Sequence, residues 1–219
     1  MGKFIVIEGL DGSGKTTQGK LLAERLRGEG KRVRELSFPC YGEKSCGLVE
    51  MYLSGELGES PDDTNGYAAS MLYAADRYVS YVTDWRKDAD DPETVVLATR
   101  YTTANAYHQL SKLPREDWES FLSWLYDFEF GKIGLPAPDT VVLLSMSQEI
   151  SSGNVKDRSE ATGQKMDIHE KDKGYLLRCS EAAHFAAEKG GWKVINCAPD
   201  GTLLSVGEIN DMIRAAVEV

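Results

Sequence analysis

The sequence predicts an α/β fold in which a five-stranded parallel sheet is covered by helices on both faces. Three observations predict it. Five short aliphatic runs alternate with segments of helical periodicity, as strands joined by helical crossovers must. The central runs are apolar throughout rather than alternating, the pattern of strands buried on both faces. The first run leads directly into Gly9-Leu10-Asp11-Gly12-Ser13-Gly14-Lys15-Thr16, which matches G-x-x-x-x-G-K-[ST], a motif that belongs between a strand and a helix.

Taken in order, Lys3 to Glu8 forms the first strand, and the helix after the glycine loop carries Leu22, Ala23 and Leu26 on one face. Gly28-Glu29-Gly30 stops that helix. Lys31 to Phe38 is the second strand, ended by Pro39, and Gly47 to Leu53 is helical up to Ser54-Gly55. Residues 58–65 form a polar loop. Gly66 to Trp85 reads as one long helix, with Ala68, Ala69, Leu72, Ala75, Val79 and Val82 at helical spacing and Asp90-Asp91-Pro92 as its breaker. Thr94 to Ala98 is the third strand. Helices follow around Thr103–Leu110 and Arg115–Phe130; the second has an apolar stripe for the core or for a dimer face. Asp139 to Ser145 is the fourth strand. Ser151 to Gly163 reads as a polar, mobile loop. Glu170 to Lys189 is helical, Trp192 to Asn196 is the fifth strand, and Val206 to Val217 closes the chain as a helix. The sum is a three-layer sandwich of the P-loop NTPase type.

A chain of 219 residues suits one domain, and 42% hydrophobic content suffices for its core. The net charge of −10 argues against a broad electrostatic grip on nucleic acid, which gathers Lys and Arg on one face. No run approaches the roughly 18 apolar residues of a membrane span, and no signal-peptide pattern precedes the first strand. Cys40, Cys46, Cys179 and Cys197 form no C-x-x-C pair, which points to free thiols in a reducing cytoplasm. His108, His169 and His184 are scattered along the sequence and suggest no metal cluster.

The chemistry starts at the glycine loop. Its backbone amides and the helix dipole face an anion, Lys15 bridges the outer phosphates, and the Thr16 hydroxyl reaches Mg²⁺. Gly9, Leu10, Asp11, Gly12, Ser13, Gly14, Lys15, Thr16 and Thr17 are therefore the expected ATP-binding residues. Ligands in such folds lie beyond the carboxyl ends of the strands, where Phe38–Tyr41, Thr99–Asn105 and the 151–163 segment join the loop. Arg77 and Arg100 suit a second phosphate, with a helical surface pair as the lesser alternative for Arg77. Lys156, Arg158 and Lys165 would close over the transferring group and exclude water, or remain solvated.

Nearly the whole chain resembles the thymidylate kinases. The resemblance rests on Ile7 to Gln18, on Phe38-Pro39 followed by Tyr41, and on Tyr52 to Gly58. It continues through Leu72-Tyr73-Ala74-Ala75-Asp76-Arg77, Arg100 to Asn105, Pro138-Asp139 and Asp167-Ile168-His169-Glu170. It implies one nucleoside monophosphate kinase domain over 1–219 with a mobile lid at about 148–166. The implied reaction is Mg²⁺-dependent transfer of the ATP γ-phosphate to dTMP by a homodimer. By the same resemblance Asp11 would accept from the deoxyribose 3′-hydroxyl, Phe38 and Tyr73 would wall the thymine, and Arg77 would donate to its O4. Arg100 would bind the acceptor phosphate, with Pro39, Tyr41, Tyr101 and Asn105 lining the pocket.

The chain departs from the family where Thr99 replaces the Asp of Asp-Arg-Tyr, Cys40 replaces an Arg after Phe-Pro, and Ser145 ends a strand that often carries Asp. The changes at Thr99 and Cys40 keep two other readings open: a kinase for a different nucleoside monophosphate, and a nucleotide-binding regulatory protein without transfer activity. The loop has no Arg between Asp11 and Lys15, and the resemblance to family members that lack this Arg implies cations supplied from the lid, with Arg158 first and Lys156 and Lys165 behind it, beside Lys15 and Arg100. Arg158→Ala is expected to lower kcat by roughly 10³ with little change in substrate KM. A large rise in KM at unchanged kcat, in steady-state kinetics, would contradict it.

Overall fold

The computed structural model describes residues 2–162 and 167–219, with every side chain among them except those of 157–159, 161, 162, 171 and 173. In chain order the elements are β1 (Phe4–Gly9), α1 (Lys15–Gly28), β2 (Arg32–Ser37), α2 (Gly47–Ser54), α3 (Gly66–Ser80), α4 (Arg86–Asp90) and β3 (Thr94–Thr99). Then come α5 (Thr102–Leu110), α6 (Trp118–Tyr126), β4 (Thr140–Ser145), α7 (Gln148–Thr162), α8 (Ile168–Lys171), α9 (Lys173–Gly190), β5 (Lys193–Asn196) and α10 (Val206–Ala216).

The strands form one parallel sheet in the order β2-β3-β1-β4-β5. The chain leaves β1 toward one edge and later returns to its other side, which makes the carboxyl end of β1 the switch point where ligands bind in such sheets. Side chains alternate across β1. Phe4 and Val6 face a core shared with Val96, Ala98, Val141, Leu143 and helices α5, α6 and α9. Ile5 and Ile7 face a second core shared with Leu22 and Leu26 of α1 and Ile209 and Ile213 of α10. Two apolar faces explain the unbroken aliphatic runs. Gly19 lets α1 lie close on the sheet, because a Cβ there would stand 2.7 Å from Thr99 Cγ2. A third cluster, with Val49, Leu53, Ala69, Leu72 and Ile168, joins α2, α3 and α8 beside the cleft.

β2 is an edge strand, and its exposed side is charged. Arg32 pairs with Asp91 at 3.0 Å, Arg27 with Glu35 at 2.7 Å, and Arg34 with Asp84 and Asp88. Such charges blunt the unpaired edge of a sheet.

Three segments differ from the sequence reading. The long helix expected over 66–85 ends as α3 at Ser80 and continues as a π turn, Tyr81–Trp85, into α4. The wider turn carries Trp85 into the core, fully buried, with ring centroids 4.7 Å from Tyr81 and 5.7 Å from Phe4. A second π turn, Asp127–Lys132, ends the helix expected over 115–130 and turns Glu129 inward. The segment read as a polar loop from Ser151 is helical through Thr162. Buried Ser151 and Val155, four residues apart, seat that helix on the glycine loop. Two contacts at helical spacing are too few to register as periodicity.

The central strand should dominate stability. Ile7→Ala, at a position with no exposed surface, is expected to cost about 2–5 kcal/mol in urea unfolding. Leu203→Ala, at a position 42% exposed, should stay within about 0.5 kcal/mol.

Candidate active site

A cleft of about 600 Å³ opens at the carboxyl ends of β1 and β3. Of the residues singled out from the sequence, Asp11, Lys15, Thr16, Phe38, Pro39, Tyr41, Tyr73, Arg77, Arg100, Tyr101 and Asn105 all line it. Gly9, Leu10, Gly12, Ser13, Gly14 and Thr17 belong to the loop and the first turn of α1 behind that wall.

The phosphate end is built on β1. Glu8, the last side chain before the loop, is fully buried. Its Oε1 accepts from Tyr101 N at 2.9 Å and Thr103 Oγ1 at 2.5 Å, and its Oε2 accepts from Tyr107 OH at 2.9 Å. Burial pushes its pKa up, against the pull of these donors and of Arg100. The bonds hold the turn between β3 and α5 against β1. In that turn Arg100 has φ 65°, alone among the described non-glycine residues in being left-handed, and its N–H donates to Ile7 O at 3.1 Å. Such a backbone costs of order 1 kcal/mol or more and persists where its surroundings over-determine it.

The Arg100 guanidinium donates through Nη2 to Asp11 Oδ1 and through Nη1 to His108 Nε2, the latter at 3.3 Å. Lys15 Nζ donates to Leu10 O at 3.0 Å and stands 3.5 Å from Asp11 Oδ1. Burial alone would raise the pKa of Asp11, but Arg100 and then Lys15 outweigh it and hold the carboxyl well below the usual range. Burial and the Arg100 charge lower Lys15 to about 8, against the pull of Asp11 and Glu8.

Gly12 joins this end to α7. Its φ is +79°, and a Cβ would fall 2.0 Å from Ser151 O, while Asn154 Nδ2 donates to Gly12 O at 2.8 Å. Of the three cations expected over the cleft, Lys156 is exposed and lies 3.8 Å from Glu160. The Arg158 side chain and Lys165 lie outside the described residues.

The other end of the cleft suits a flat ring. Phe38, before a cis peptide bond to Pro39, is buried, and Tyr73 meets Tyr52 edge-on at 6.1 Å. Tyr41 sits at the mouth, 63% exposed. Tyr101 lines the cleft but packs on Phe4 at 4.9 Å and donates its hydroxyl to Pro136 O at 3.1 Å. Arg77 makes no helical surface pair. It is buried against Glu129, with Nε to Oε2 at 2.8 Å and Nη2 to Oε1 at 2.6 Å. Glu129 also accepts from Thr102 Oγ1 at 2.7 Å and Asn105 Nδ2 at 3.2 Å. Asp76 holds the strand-end loop by accepting from Cys40 N at 2.9 Å and Ser45 Oγ at 2.7 Å.

Sequence reasoning passed over Gln109, and it named His108, His169 and Asp167 without placing them in this cleft. Gln109 lines the cleft fully buried, with neither amide atom hydrogen-bonded among the described residues. His108 and His169, distant in sequence, also line it and stack at 5.2 Å. Burial and the neighbouring charge of Lys112 push His169 down to about 3. Asp167 caps α8 by accepting from His169 N and Glu170 N, both at 2.9 Å, and burial raises it to about 6. The available signal was spacing: His108 and Gln109 lie three and four residues past Asn105 on α5, hence on its face.

A family model described as thymidylate kinase matches residues 7–206. The thymidylate kinase of Mycobacterium tuberculosis strain H37Rv is 31% identical over 204 residues, covering 90% of this chain and 92% of that protein. A probable thymidylate kinase of Methanococcus maripaludis strain C7 is 28% identical, covering 99% and 96%. The structure of thymidylate kinase from Candida albicans superposes with a TM-score of 0.68 at 18% identity, over 98% of this chain and 90% of that one, a likeness of fold.

The lowered Lys15 pKa carries a measurable sign. Phosphate oxygens favour the charged ammonium, so if Lys15 holds the triphosphate, as expected from the loop motif, binding above pH 8 would take up a proton. The Kd for Mg-ATP is expected to rise by about tenfold per pH unit between pH 8 and 10, read by titration calorimetry. A Kd independent of pH across that range would contradict it.

Proposed function

The chain belongs to the thymidylate kinase family, and we propose that it transfers the terminal phosphoryl group of ATP to the phosphate of dTMP, giving dTDP and ADP. The observation that supports this reading most is the position of Arg100. It stands beside the phosphate loop at Asp11, in one cleft with a ring-sized end walled by Phe38 and Tyr73. A donor triphosphate on the loop and an acceptor phosphate on Arg100 would face each other across Asp11.

In the reaction an acceptor phosphate oxygen attacks Pγ while the bond from Pγ to the bridging oxygen breaks, and ADP leaves with that oxygen. The transition state asks for alignment and spread positive charge rather than covalent help. Lys15 would supply charge on the donor side and Arg100 on the acceptor side. Arg158, within a lid at about 148–166, would cover the transferring group, in one kinase domain over residues 1–219. Mg²⁺ would arrive with ATP as part of the substrate. Among the described residues no group of three His, Cys, Asp or Glu side chains could hold an ion, and Thr16 lines the cleft. That donor set fits a metal held mostly by phosphates and water. Once bound, it neutralises phosphate charge.

Base choice follows from donors. Arg77 has no acceptor atom, and Glu129 fixes its orientation. A guanidinium aimed into the base end favours a carbonyl, as thymine and uracil carry at position 4, over the amino group of cytosine. The unpaired Gln109 amide offers one acceptor and a donor group to the remaining imide edge. Asn105 keeps its Nδ2 on Glu129 and Ser70 O, which orients its Oδ1. The Asp11 carboxylate would accept from the 3′-hydroxyl once Arg100 turns to the phosphate.

We also propose a homodimer. Tyr67, Met71, Tyr78, Val79 and Val82 along α3 and the following turn are each at least 42% exposed, a run of apolar side chains suited to a partner surface. The four unpaired cysteines suit the cytoplasm as the setting. No helix of the described chain is long and apolar enough to cross a membrane.

The test is ADP release from Mg-ATP with dTMP, dUMP, dCMP, dGMP or no acceptor. Release should depend on dTMP, with kcat/KM for dCMP lower by about 10²-fold or more. Release with another monophosphate alone would move the substrate. ATP binding without acceptor-dependent release would overturn the kinase reading.

A further inference from the structure

Arg100 has two side-chain partners of opposite character. Asp11 is an anion. The other is the imidazole of His108, 4% exposed, whose Nε2 lies 3.3 Å from Arg100 Nη1. A guanidinium only donates, so Nε2 must present its lone pair, and the ring proton must sit on Nδ1. The other side of the ring agrees. Tyr175 of α9 donates its hydroxyl proton to His108 O at 3.1 Å, which leaves the phenolic oxygen free to accept from Nδ1 at 3.2 Å. Cys179 Sγ, 3.5 Å from Nδ1, gives its own proton to Ser111 Oγ at 3.4 Å. Tyr175 and Cys179 are fully buried, so water cannot reverse the order. Burial, His169 and Arg100 together hold the imidazole neutral by pushing its pKa well below the ordinary value.

We propose that His108 is the positioning residue of Arg100, a neutral acceptor that fixes one edge of the guanidinium while leaving its charge for the acceptor phosphate. This rests on the reading of Arg100 as the acceptor-phosphate ligand. An arriving phosphate must draw Arg100 away from Asp11, and a long side chain held by Asp11 alone would then lose orientation. A second carboxylate in place of His108 would hold the guanidinium but cancel the charge the phosphate needs. A neutral lone pair holds it without competing, and leaves donors on the opposite edge for a two-point grip. α9 takes part at a distance, because Tyr175 determines which ring nitrogen is bare.

The experiment is a kinetic cycle on the full chain with dTMP and Mg-ATP. His108→Phe should lower kcat/KM for dTMP by about tenfold through KM, while KM for ATP stays within about twofold. His108→Gln, which returns a neutral acceptor, should recover most of the loss. In an Arg100→Lys background, His108→Phe should cost little more, because its partner is gone. An unchanged dTMP KM in His108→Phe, or losses that add fully in the double variant, would overturn the proposal. If Arg100→Lys alone leaves dTMP kinetics intact, the reading of Arg100 fails separately. Should His108→Phe not fold, ¹⁵N NMR of the unaltered protein decides. A bare Nε2 and protonated Nδ1 at pH 7 support the proposal, and an Nε2–H tautomer or an imidazolium overturns it.

Discussion

One buried carboxylate fixes the distance between the two halves of the cleft. Glu8 stands at the end of β1, one residue before the glycine loop, and takes its donors from Tyr101, Thr103 and Tyr107 beyond β3. Removing it would leave those donors buried and unpaired, which costs more than the bonds themselves contribute. With it in place, the loop and the Arg100 turn form a single rigid corner. The left-handed backbone of Arg100 is tolerable only there.

A second buried carboxylate does the same at the far end. Glu129 gathers Arg77, Thr102 and Asn105, drawing α3 and α5 together. A buried ion pair is a poor source of stability, since desolvation offsets most of its attraction. Its value here is direction: Glu129 holds the Nε and Nη2 edge while Nη1 stands 3.5 Å from Tyr101 O. The cleft thus carries cations in a chain whose net charge is −10, each held by a local anion or lone pair.

How much of this could be read from the sequence depends on range. The β1, β3 and β4 strands and the glycine loop were legible because their signals are local: aliphatic runs with two buried faces, then Gly at fixed intervals. Phe38, Tyr73, Arg77, Arg100 and Asn105 converge on one cleft as the strand order implies. The π turns were not legible, since one extra residue per turn leaves the composition unchanged while rotating Trp85 and Glu129 inward. Arg77 and Glu129 are 52 residues apart, and nothing in either neighbourhood announces the other. Gln109 and His108 were legible in principle from their spacing on α5 but had no motif to draw the eye. Helix α7 was hidden by its polarity, because it is seated by a few contacts on Gly12 rather than by an apolar face.

The charged edge of β2 reaches beyond the single chain. A sheet whose outer strand offers bare backbone can recruit a neighbour and grow without limit. Here that strand is flanked by Arg32, Arg34 and Glu35, each already tied to a carboxylate or guanidinium of its own chain. A second copy approaching strand to strand would have to break those ties and desolvate the charges. Open-ended stacking through this edge is thereby made costly, whatever surface a second copy would otherwise use.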